Sequence, residues 1–183
     1  MLLESDMIRP EFRQILLDQR GAAVILWCFF FISVPIYILI ARSLLGNPDL
    51  GTNRTVAEWA RMIFWALTLV DIGYYFYWRE RNLSAAAIKR DARKTKLFRA
   101  LEAYQGAAEE TAAYVVSTLV TRKVVIYAII EALAVYGFTL AILGRFFSDQ
   151  VVLSFVSLVL LTIEFPSAKS VEKLLEEVER SGA

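Results

Sequence analysis

The stretch "VVIYAIIEALAVYGFTLAILG", Val124 to Gly144, is apolar from end to end except for one carboxylate, Glu131. A helix over such a run, rising 1.5 Å per residue, spans the ~30 Å hydrocarbon core of a bilayer. It would hold Glu131 where a charge costs at least ~2.5–3.5 kcal/mol. The fold follows from the first fact, and most of what can be inferred about function follows from the second.

The flanking sequence agrees with a membrane protein. Of 183 residues, 57% are hydrophobic, with a mean hydropathy of +0.50. These residues come in blocks instead of being spread at helical or strand periods. "AAVILWCFFFISVPIYILIA", Ala22 to Ala41, has no charge, and Pro35 inside it predicts a kink. "MIFWALTLVDIGYYFYW", Met62 to Trp78, is interrupted by Asp71. It ends in the aromatic cluster Tyr74 to Trp78 followed by Arg79, the composition of a membrane-interface belt with a cationic anchor. "VVLSFVSLVLLTIEF", Val151 to Phe165, closes at Pro166. It is short for a span and has to tilt, extend at its ends or be shielded by neighbours.

The connecting segments differ in character. "RSLLGNPDLGTNRTVAEWAR" and "RFFSDQ" read as hairpin turns. The segment from Arg79 to Lys123 is long and helix-forming, with Asn82 or Ser84 as its cap and Gly106 as a break or bend. Its apolar stripe runs Leu97, Leu101, Tyr104, Ala108, Ala112, Val115, Leu119. That stripe needs a cover: the C-terminal helix, the same helix of another subunit, or the membrane surface. Phe12, Ile15 and Leu16 mark a short amphipathic helix starting near Pro10. Val171, Leu174, Leu175 and Val178 mark another at the C-terminus. "MLLESDMIRPEFRQILLDQR" carries both signs of charge and no cleavage signature, so it is not expected to be a signal peptide.

The expected fold is therefore an all-α integral membrane protein, with four transmembrane helices in two hairpins and a long cytoplasmic helix between spans 2 and 3. Its parts are an N-terminal helix (1–20), a first hairpin (21–79), a helical linker (80–122), a second hairpin (123–165) and a C-terminal helix (166–183). Basic residues crowd the termini and the middle linker and are few in the two turns. The positive-inside rule then predicts a multi-pass protein of the cell (inner) membrane with both termini cytoplasmic. Arg79, Arg81, Lys89, Arg90, Arg93 and Lys94 are the candidate contacts to anionic lipid headgroups. Setting topology is the alternative role for the same cluster. No aromatic residues interleave with it as nucleic-acid binding requires, so no nucleic-acid partner is expected.

The chain has no histidine and one cysteine, Cys28, set among aromatic residues. That removes histidine-based metal sites, bis-histidine haem and the Ser-His-Asp and Cys-His hydrolases. No P-loop, GxGxxG, CxxC or HExxH motif is present. The expectation is a protein that is not an enzyme and carries no cofactor.

The two intramembrane acids are the candidate site. Asp71 lies eight positions before Arg79, and Glu131 eight after Lys123. Eight residues of helix cover about 12 Å, which predicts similar depth on helices of opposite direction. Neither span offers a Lys or Arg at that depth. Protonation, a shared proton, a bound cation or a partner chain's positive residue are the remaining ways to neutralise them. The functional alternative is a proton or cation site of Glu131 and Asp71, with Tyr136, Thr68, Tyr74 or Tyr75 as hydrogen-bonding neighbours. The structural alternative is a protonated carboxyl that fixes helix packing. Glu164, beside Pro166 and Lys169, reads as an interfacial carboxylate, and Glu58 with Arg61 as an ordinary helix pair.

"EALAVYGFTLAIL", Glu131 to Leu143, resembles the carboxylate-bearing helix of rotary ATPase proteolipids, matching at Glu131, Tyr136, Gly137 and Ala141. The resemblance covers this segment alone and implies that Glu131 is an ion carrier. Two hairpins joined by a long cytoplasmic helical segment also look like the layout of MotA/TolQ/ExbB stators. Both resemblances imply a subunit of a proton- or cation-translocating assembly in the lipid bilayer, a homo-oligomer or membrane complex. The alternative is a non-transporting scaffold that recruits partners through its cytoplasmic helices.

Overall fold

The computed structural model describes residues 8–47, 53–91, 104 and 106–182. All regular structure among them is helical: α1 (Pro10–Leu44), α2 (Arg54–Leu83), α3 (Ala85–Arg90), α4 (Ala107–Gly144), α5 (Phe147–Ile163) and α6 (Ala168–Gly182). Helices α1 and α4 are each long and apolar enough to cross a membrane, and α5 with α6 adds a third crossing if the pair is one broken span. Four spans exceed what length and composition establish. Arg61 and Asp71 dilute the apolar run of α2, and α5 has only 17 residues.

Local chemistry sets the helix ends. Pro10 opens α1, where its missing N–H costs nothing. Ser84, not Asn82, caps α3, its Oγ accepting from the Ala87 N–H at 3.3 Å. Gly106 has φ 101°, a left-handed conformation that glycine adopts without strain, and α4 begins at the next residue. At the other end of α4, Arg145 takes the left-handed position (φ 58°), and the Phe146 N–H reaches back to Leu140 O.

The chain divides into two compact units, residues 1–26, 78–124 and 166–183, and residues 27–77 and 125–165. In the first, Ile8, Phe12 and Leu16 pack with Ala112, Ala113, Val116, Val171 and Leu175. Ile15, expected on the same face, is 39% exposed, because the buried row runs at intervals of four through residues 8, 12 and 16. Ile88, Val115 and Leu174 form a neighbouring cluster. Tyr104, Ala112, Val115 and Leu119 of the linker stripe thus pack in clusters with residues of α1, α3 and α6 of the same chain; Leu97 and Leu101 lie outside the described residues. Arg9 clamps the buried Glu109 through its backbone N–H (3.1 Å), Nε (2.7 Å) and Nη2 (2.8 Å). Arg122 bonds Asp91 at 2.9 Å and the Asn82 carbonyl at 2.5 Å.

In the second unit the usual polarity is inverted. Gln150, Ser154 and Ser157 are fully buried, while Leu39, Val70 and Phe155 are each more than 60% exposed. Apolar side chains outside and polar groups inside suit a hydrocarbon solvent. Gly137 lets α5 approach α4 closely. A Cβ there would fall 2.9 Å from Gln150 Cα and 3.2 Å from Leu153 Cβ.

Candidate functional site

Glu131 projects from α4 toward α1. Ser33 and Tyr37 stand four residues apart on α1, so both hydroxyls share one face. Each lies at Glu131 Oε1, the Ser33 Oγ at 2.7 Å and the Tyr37 hydroxyl at 2.8 Å. Ser33 Oγ is also 2.8 Å from the Phe30 carbonyl. A carbonyl only accepts, and a serine hydroxyl has one proton to give. The Ser33 hydroxyl donates to Glu131 Oε1 and shares its one proton with the Phe30 carbonyl.

Asp71 has a different partner. The Tyr136 hydroxyl donates to Asp71 Oδ2 at 2.7 Å. Tyr136 follows Glu131 by five residues, about 140° around the helix, so the two project toward different neighbours. Among the described residues no hydrogen bond or ion pair joins the two carboxylates, and no Lys or Arg pairs with either. Of the four expected neighbours, only Tyr136 meets one of these acids. The Thr68 hydroxyl donates to the Phe64 carbonyl, the Tyr75 hydroxyl donates to Glu164, and Tyr74 is 46% exposed.

Ser33 and Tyr37 were not legible as partners of Glu131. Their signal is two hydroxyls one turn apart within a charge-free apolar run, which an inventory of charges passes over. Two expectations are corrected. Glu164 is buried, not presented to headgroups, because Tyr75 donates to it at 2.8 Å and the Tyr127 hydroxyl reaches its carbonyl at 3.3 Å. Glu58 pairs with Arg54, one turn away at 3.1 Å, whereas Arg61 pairs with Asp149 at the start of α5. The Arg61 guanidinium also lies 4.9 Å from the Phe146 ring centroid.

Comparison with protein-family models, with curated proteins and with solved structures finds no match. The residues themselves therefore carry the functional reading. Among the described residues no cluster of three or more Cys, Asp or Glu could hold a metal ion. The neutral oxygens around Glu131 come from a serine and a tyrosine, groups that hold a proton in place more readily than they dehydrate a cation.

Of the candidate headgroup contacts, Arg79, Arg81 and Arg90 are exposed. Arg90 is engaged by Asp91 at 3.1 Å. Arg93 and Lys94, and the side chain of Lys89, lie outside the described residues. Asp91 is held below the usual carboxylate range by its hydrogen bonds from Arg90 and then Arg122.

Proposed function

We propose that the chain is an integral membrane subunit of a proton-translocating assembly, with Glu131 as the proton carrier and Asp71–Tyr136 as a second, separate site. The setting of Glu131 carries this reading: an acid within a helix long and apolar enough to cross a membrane, held by two neutral hydroxyls and paired with no Lys or Arg among the described residues. A carboxyl that gains and loses a proton there exchanges a neutral state for a charged one. Tyr37 and Ser33 are placed to donate to the carboxylate when the proton leaves.

The finer topology is part of the same proposal. Four crossings in two hairpins, both termini cytoplasmic, put Arg79, Arg81 and Arg90 at the inner leaflet beside anionic headgroups. The subunit works in a homo-oligomer or a larger membrane complex, as the resemblance of Glu131 to Leu143 to a proteolipid helix implies. The scaffold alternative is less favoured. Ala112 and Val115, part of the stripe that would recruit partners, already pack with Val171, Leu174 and Leu175 of the same chain.

The test is proton uptake by liposomes containing the purified protein and an internal pH dye, driven by a membrane potential. Glu131→Gln is expected to abolish uptake. Uptake equal to wild type in that variant overturns the proposal.

A further inference from the structure

Helix α5 carries a polar stripe that the Glu131 cluster does not use. Gln150, Ser154 and Ser157 recur at intervals of four and three residues and share one face, and each is 0% exposed. Some of their polar atoms are satisfied. Ser157 Oγ donates to the Ile130 carbonyl at 3.0 Å, and Gln150 Nε2 donates to the Tyr37 carbonyl at 2.8 Å. Gln150 Oε1 and Ser154 Oγ are buried and have no partner among the described residues. Left dry, each would cost the fold its full desolvation.

Two contacts define the register of this seam. Gly137 meets Gln150, and Ile130 meets Ser157, so antiparallel α4 and α5 place Ser154 level with Leu133 and Ala134. That is within one turn of Glu131 in depth. Residues four apart on a helix have Cβ atoms about 5–6 Å apart, a gap that one water molecule bridges between a Gln carbonyl and a Ser hydroxyl. A cation fits poorly there, since the two orphan oxygens are neutral and too few to replace a hydration shell. The nearest acid in sequence, Asp149, is held by Arg61.

We infer that ordered water occupies the α4–α5 seam at Gln150 Oε1 and Ser154 Oγ and forms one arm of the proton route to Glu131. The role in the route rests on the proposed function; the water site itself does not. Tyr37 ties the two regions together, its carbonyl held by Gln150 and its hydroxyl on Glu131. Along such an arm a proton that enters from bulk water passes to the water shared by Gln150 and Ser154, that water gives one of its own protons to the Ser154 hydroxyl, and Ser154 gives its own to a further water on the side of Glu131. Water and serine are left neutral, and the Glu131 carboxylate is neutralised by the proton it gains.

Ser154→Ala separates the outcomes. If the seam is wet, the variant loses a satisfied hydroxyl, and Tm in detergent falls by about 2–4 °C. An unchanged or raised Tm means that the hydroxyl was dry, and the water site is overturned. In the liposome assay Ser154→Ala is expected to lose most of the wild-type proton uptake, while Ser154→Thr, which keeps the hydroxyl, retains it. Uptake unaffected by Ser154→Ala but abolished by Glu131→Gln overturns the route and leaves the carrier role of Glu131 standing. Uptake unaffected by Glu131→Gln overturns the carrier role, and the route with it.

Discussion

The Tyr37 hydroxyl lies 2.8 Å from Glu131 Oε1, and the Tyr37 carbonyl accepts from Gln150 Nε2 at the same distance. One residue of α1 thereby holds a carboxyl of α4 and an amide of α5. Removing the hydroxyl tests how tightly the three helices depend on it. Tyr37→Phe is expected to lower stability by about 1 kcal/mol, the net worth of one intramolecular hydrogen bond. A double-mutant cycle with Glu131→Gln, read from denaturant or thermal unfolding in detergent, should show coupling of about 0.5 kcal/mol or more. Strict additivity would mean that the contact contributes nothing.

At Gly137, α4 and α5 approach closely. Gly137→Ala places a methyl 2.9 Å from Gln150 Cα, a backbone atom that no rotamer change can move. The variant should lose about 1–3 kcal/mol from overpacking, although alanine is the better helix former. Gly73, with nothing within 4 Å of its would-be Cβ, is the control. Gly73→Ala should be neutral or slightly stabilising in the same melt.

The Arg61–Asp149 pair holds a nearly buried carboxylate at the start of α5. Its cation is 46% exposed, and the Asp149 side chain is 7% exposed. Arg61→Ala leaves the carboxylate without its cation and should cost about 1–3 kcal/mol. Adding Asp149→Asn to that background should recover part of the loss, since the amide has no charge to compensate. Thermal melts of the single and double variants measure this directly.

Asp91 makes the first compact unit sensitive to acid. Its carboxylate is held below the ordinary value of 3.8 by Arg90 and Arg122. A folded value below the unfolded one means that the ionised pair stabilises the fold above the ordinary value. The stabilisation is lost as pH falls through the lowered folded value. Tm followed from pH 6 downward should drop less steeply in Asp91→Asn than in wild type over that acid window. Equal slopes would remove Asp91 from the pH response.

Much was legible in the chain because a hydrocarbon solvent acts on composition alone. The apolar blocks, the lone acids at Asp71 and Glu131, the glycine break at Gly106 and the helix start at Pro10 follow from local rules of solvation and backbone geometry. Partners were not legible, because they depend on azimuth as well as depth. Glu131 and Tyr136 project about 140° apart on one helix, and it is Tyr136, not Glu131, that meets Asp71. Instead Glu131 turned to Ser33 and Tyr37, and Tyr136 to Asp71. Glu164 looked interfacial by position, yet Tyr75 and Tyr127 enclose it. The sequence by itself determined that this protein sets acids within apolar helices. Only the tertiary structure decided which hydroxyls reach them, because rotation about a helix axis is set by packing against neighbours far away in the chain.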